Sequence, residues 1–290
     1  MKVKFKEKTY EKYVSAELTR LTNQFFSPDA CDENFLGFDD AFVLPWSLVA
    51  SLAPFVRRSR HRHLMGLRLA ELEFLIDELS EHLPPFKFNL FLQYKRPEYM
   101  KRSDAAEWHF WSKRYYRYTT TPHQQALLEK IEVQAAGRAA TLYAGAAFWN
   151  STDLFAHAQA GEVLKNSNLA NVAKLQGHER FTYTQPGTKG IACSEPTPIE
   201  SDPLQDIISR TQDLEPLPFD RHIQQAAKVI DQVVGEGDRY IRDLYAQARR
   251  ALNIETPRSN PTIAAMKSII AFSDAFDVSY YALGEATKTG

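Results

Sequence analysis

The chain has 290 residues, 44% of them hydrophobic and 24% charged, proportions that suit one large domain or a core domain with an appended module. Its 35 Lys and Arg against 36 Asp and Glu leave a formal net charge of -1, which excludes wholesale attraction to polyanions and leaves any affinity for nucleic acid to local patches. The two cysteines, Cys31 and Cys193, have neither metal-ligand spacing nor the density of a disulfide scaffold.

The opening MKVKFKEKTYEKY lacks an apolar signal core, and no window is apolar over the length of a bilayer, so the expectation is a cytoplasmic protein with no membrane partner. Residues 9 to 26 then set Tyr10, Val14, Leu18, Leu21 and Phe25 on one helical stripe with Glu17 at its margin, and Ser27, Pro28 and Asp29 break it. GFDDAFVLP, residues 37 to 45, reads as a strand after a glycine turn, with Asp39 and Asp40 on opposite faces. Residues 46 to 83 read as helix, with a stripe through Leu69, Leu72, Leu75, Ile76 and Leu79 that Pro84 and Pro85 close.

A strand is predicted over about 86 to 95, alternating so that Asn89, Phe91, Gln93 and Lys95 share a face. HQQALLEKIEVQA reads as helix, RAATLYAGAAF as a buried strand, and TDLFAHAQAGEVLKNS as helix or loop. GHERFTYTQPGTKGIACSEP reads as a hairpin turning at PGTKG. Beyond residue 200 the character changes: a proline-punctuated link leads to one long amphipathic helix, Ile223 to Ala248, and NPTIAAMKSIIAFSDAFDV marks a second. Strands first and helices last predict an α/β core over 1–200 and a C-terminal helical module over 201–290.

Two segments carry cations. Residues 95 to 118 mix Lys95, Arg96, Lys101, Arg102, Lys113, Arg114 and Arg117 with Trp108, Phe110, Trp111, Tyr115, Tyr116 and Tyr118. Cations there would meet phosphates while rings stack on unpaired bases; the other reading is a β-rich segment that buries its aromatics under arginines. Arg57 and Arg58 open a second basic cluster, RRSRHRHLMGLR, that fits either a phosphate patch or a charged loop. His61 and His63 are two apart rather than four, so no helical zinc pair is expected. No P-loop, dinucleotide fingerprint, nucleophile elbow or HExxH pair is present.

Metal-dependent phosphodiester hydrolysis needs hard oxygen ligands, a cation beside them and a surface that holds phosphate. Two strands supply this when one ends in an aspartate and the next offers an acid or amide and a lysine two residues apart. The alternative for Gln93 and Lys95 is a solvated sheet edge, where lysine blocks edge pairing. The order of a helix bearing Glu17, then ENFLGFDDAF, then FNLFLQYKRP, resembles the restriction-endonuclease-like PD-(D/E)xK superfamily in its Q-x-K variants, which occur among bacterial restriction and anti-phage defence nucleases.

That resemblance covers roughly residues 10 to 195. It implies a restriction-endonuclease-like core, a mixed central sheet flanked by helices with the 46–83 helix as an insertion, and Mg²⁺- or Mn²⁺-dependent cleavage of DNA within a defence or restriction system. Asp39 would be the central metal ligand, Gln93 a second ligand, Lys95 the catalytic lysine and the Tyr94 carbonyl a further ligand, with Glu33 or Glu17 adding a carboxylate and Glu33 favoured by proximity. Lys95, Arg96, Lys101, Arg102, Arg57 and Arg58 would contact nucleic acid. The other reading is a catalytically silent subunit of this fold that binds nucleic acid or scaffolds a complex, its C-terminal helices docking protein partners or a second copy.

Overall fold

The computed structural model describes residues 1–18, 21, 25–27, 42–43, 85–252 and 260–284. Asp39, Asp40, Glu33, Arg57 and Arg58, the expected helix at 46–83 and most of the expected strand at 37–45 lie outside the described residues. The described strands form one sheet of six and one of five, and eight described helices accompany them, so the fold is mixed α/β. The chain divides into two compact units whose segments interleave: Met1–Leu21, Phe91–Val133 and Ala140–Arg210 in the first, and Thr22–Leu90, Gln134–Ala139 and Thr211–Gly290 in the second.

In the first unit, α1 (Glu7–Leu18) buries Tyr10, Val14 and Leu18, the stripe expected of it. The end of β3 (Phe88–Lys95) neighbours β6 (Ala139–Ala146), which pairs antiparallel with β7 (Ser167–Asn171). Every residue of β6 is buried, as are all of β3 before Lys95, so these strands are covered on both faces. That overturns the alternative of a solvated edge for Gln93, which is 2% exposed. Gly145 makes room for Tyr183: a Cβ there would lie 2.6 Å from the Tyr183 hydroxyl, which donates to the Ala146 carbonyl at 2.7 Å.

The same unit holds an antiparallel five-stranded sheet in the order β10 (Thr197–Glu200), β9 (Lys189–Ala192), β8 (Arg180–Tyr183), β5 (Tyr115–Thr119), β4 (Glu98–Met100). Strands β8 and β9 are the hairpin expected from its PGTKG turn. Register sets Tyr99 opposite Tyr116 and Tyr116 opposite Tyr183 on one face; Glu98, Arg117 and Thr182 line up on the other. The segment Met1–Val3 runs along β4, Lys2 bridging Glu98, so the edge of this sheet is covered. Helices α2 (Trp108–Trp111), α3 (Pro122–Gln134), α4 (Ser151–Ala160) and α5 (Leu204–Arg210) complete the order of elements.

In the second unit, β1 (Phe25–Phe26) lies between β2 (Phe42–Val43) and β11 (Ser279–Leu283), antiparallel to both. The long helix expected from Ile223 to Ala248 is instead two, α6 (Phe219–Gly235) and α7 (Arg239–Ala251). The break has a local cause: Asp238 caps α7 by accepting from the Ile241 amide at 3.0 Å, and a Cβ on Gly237 would meet the Ile241 side chain at 2.7 Å. Helix α8 (Pro261–Phe276) is buried around most of its circumference, and the Tyr245 hydroxyl ties α7 to Asp231 of α6 and the Ser268 carbonyl of α8. None of the described helices is long and apolar enough to cross a membrane.

A cationic pocket at the ends of β3, β4 and β5

Four elements of the first unit put their charges in one place. Lys95 ends β3 and Arg96 follows it, Glu98 starts β4, Arg117 sits in β5 and Arg180 opens β8; with Lys2, Glu7, Tyr118 and Thr119 they line a cavity of about 330 Å³. Among the described residues five cations line it with two carboxylates, and a third, Glu107, pairs with two of the arginines. A surface of net charge -1 overall thus concentrates positive charge at one concavity, where field lines converge and local anion concentration rises.

The cations are held rather than loose. Glu107 is buried, at 3% exposed, and its two carboxylate oxygens accept from Arg117 at 3.0 Å, Arg180 at 2.8 Å and the Tyr115 hydroxyl at 2.9 Å. Arg117 also donates to Glu98 at 2.6 and 3.1 Å. Burial works against the charge on Arg117, but Glu98 and Glu107 outweigh it and lift its pKa above the ordinary value. The Arg117 hydrogen bond holds the Glu98 carboxyl below its ordinary range, and burial together with the bond to Glu107 pushes the Tyr115 phenol up to about 12. Arg96 donates twice to the Val3 carbonyl, at 2.9 and 3.2 Å, which fixes the segment carrying Lys2.

Gln93 and Lys95, two apart on β3, project from the same face. The Gln93 side chain is buried and donates to the Gln124 amide oxygen of α3 at 2.8 Å. The Lys95 ammonium lies 4.9 Å from the centroid of the Tyr143 ring, and Lys95 is one of the residues that line the pocket. Tyr94 turns inward and meets the Tyr10 ring edge-on at 5.7 Å. Glu17 is remote in role: its two oxygens accept the amides of Val163 at 2.7 Å and Leu164 at 2.8 Å, fastening the turn after α4.

Among the described residues, no three His, Cys, Asp or Glu side chains gather to hold a metal ion. Asp39 and Glu33, the carboxylates expected to supply most of such a cluster, lie outside the described residues. Lys101 and Arg102 follow β4 on exposed positions; Arg102 pairs with Asp104 at 2.7 Å, and Lys101 lies 3.7 Å from the centroid of the Trp149 ring.

No family model, curated protein or solved structure matches the chain. The site consequently rests on its own geometry. Arg117 belongs to the cation-rich segment read from sequence, whereas nothing in the sequence marks Lys2, Glu98, Glu107 or Arg180 as neighbours of it. The trace of the site was the alternation Tyr115, Arg117, Thr119 in β5, which separates a ring face from a polar face but does not name the strands alongside.

Proposed function

We propose that this protein binds the phosphate backbone of nucleic acid at the cationic pocket. One observation carries the reading: three arginines and two lysines from separate elements converge on a cavity of about 330 Å³, with Arg117 and Arg180 held in place by a single buried carboxylate. Guanidinium forks match phosphate oxygens and keep their charge at any physiological pH. The cavity is narrow beside a duplex and suits one phosphate and its sugar at a time. Fluorescence anisotropy with a labelled single-stranded oligonucleotide tests it: the native protein should bind, and Arg117→Ala with Arg180→Ala together should weaken binding at least tenfold. Unchanged affinity in that double variant rejects the pocket as the binding site.

A second reading, a metal-dependent nuclease with a restriction-endonuclease-like core and appended C-terminal helices, is favoured by Gln93 and Lys95 projecting together from β3 with Lys95 at the pocket. In that reading Asp39 supplies the carboxylate a Mg²⁺ or Mn²⁺ ion requires. Incubation with plasmid and linear DNA in either metal separates the two, with EDTA and Lys95→Ala controls. Cutting abolished by both controls establishes hydrolysis; binding without cutting in either metal leaves the binding protein.

A further inference from the structure

The opposite face of the same small sheet carries a second feature. Tyr183, Tyr116 and Tyr99 stack across β8, β5 and β4, with ring centroids 5.4 Å and 4.8 Å apart, and Trp149 continues the column 5.9 Å from Tyr99 at 26° to it. The inner rings, Tyr116 and Tyr183, are buried, whereas Tyr99 and Trp149 are partly open to solvent. Two exposed lysines stand over the outermost ring: the ammonium of Lys101 lies 3.7 Å, and that of Lys4 4.5 Å, from the centroid of Trp149. Glu98 and Tyr99 are adjacent in β4, one in the pocket wall and the other in the ring column, so the two features meet across a single strand.

This column does more than a buried aromatic cluster needs to. Burial accounts for Tyr116 and Tyr183; it does not account for a tryptophan at the surface end dressed with two ammonium groups. An exposed cation over a ring is a weak contact, weaker than a nucleobase stacked on the same ring. A strand arriving with both base and phosphate therefore gains by exchange: the base takes the ring face and the displaced ammonium turns to the adjacent phosphate.

From this juxtaposition we infer that the protein's ligand is single-stranded nucleic acid, with an unpaired base stacked on Trp149 and a lysine from Lys4 or Lys101 pairing with the neighbouring phosphate. The inference rests on the proposed binding of the phosphate backbone at the pocket and adds the strandedness of the ligand. In a duplex the base faces are already stacked on one another and cannot reach the ring.

The test compares three probes on the native protein by anisotropy: a ten-nucleotide oligothymidylate, the same backbone with abasic sites throughout, and a duplex of equal length. Oligothymidylate should bind about 5- to 150-fold more tightly than the abasic backbone, the range for one stacked base, and more tightly than the duplex per strand. Trp149→Ala should bring the ratio of base-bearing to abasic affinity close to one while abasic binding persists, and Trp149→Phe should retain part of the preference. Equal affinity of the native protein for base-bearing and abasic strands overturns the inference and leaves phosphate binding standing. So does a base preference that survives in Trp149→Ala. Absence of binding to all three probes overturns the phosphate reading itself.

Discussion

Glu107 sets the geometry of the pocket, because Arg117 and Arg180 both lean on its carboxylate. Glu107→Gln keeps the shape but removes the charge. We predict a loss of unfolding free energy of about 1–3 kcal/mol, the cost of leaving paired groups without their partner, read by urea denaturation, together with weaker oligonucleotide binding. Glu17 is a structural carboxylate of another kind. Its two amide acceptances at Val163 and Leu164 predict that Glu17→Ala costs about 2–3 kcal/mol, and that it leaves oligonucleotide affinity unchanged in the protein that remains folded.

His222 gives a pH prediction. It is buried against Phe86 in the second unit, at 1% exposed, and its Nε2 has no hydrogen-bond partner among the described residues. Burial first, and then the charge of Arg138, lower its pKa from 6.5 to about 3. The folded chain therefore keeps this ring neutral where the unfolded chain protonates it. Between about pH 6.5 and pH 3 the unfolded state binds more protons at this site, so its contribution to stability falls as the solution is acidified. His222→Phe should show a shallower fall of urea midpoint over that window than the native protein; parallel curves would refute the assignment.

At the scale of elements, periodicity carried far and stopped for identifiable reasons. Helix α3, strand β6 and the β8–β9 hairpin stand where residue pattern set them, because each is specified by its own stripe or turn. The break between α6 and α7 escaped, since Ile223 to Ala248 keeps one hydrophobic phase across Gly235 and Gly237 and only the Asp238 cap marks the stop. Strand β11 also escaped: SYYAL is a short apolar run directly after a helix, which periodicity cannot tell from more helix.

The candidate site was legible to the same extent. Lys95 and Arg96 both line the pocket because the strand ends between them, which frees Arg96 from the alternation that would otherwise put neighbours on opposite faces. Arg117, Arg180 and Lys2 join them only through strand register, which lies in no single segment of sequence. Tyr115, Tyr116 and Tyr118 of the 95 to 118 segment are buried, as one reading of it expects, but the cation over a ring is Lys101, which covers Tyr99 of that segment and Trp149 from outside it. As an element-scale prediction, Gly145→Ala forces the Tyr183 ring aside and should cost about 1–3 kcal/mol, measured by the shift in urea midpoint.

For the whole molecule the charge balance matters most. A chain of net charge -1 gains no general attraction to polyanions, so binding has to be local and its dependence on salt has to trace to a few residues. The most direct measurement is single-stranded oligonucleotide affinity from low to physiological salt, for the native protein and for the variant carrying both Arg117→Ala and Arg180→Ala. The cationic pocket predicts that log affinity falls linearly with log salt in the native protein, and that the slope becomes shallower by about 0.7 for each phosphate the variant no longer neutralises. Identical affinities and slopes in the two proteins would contradict it.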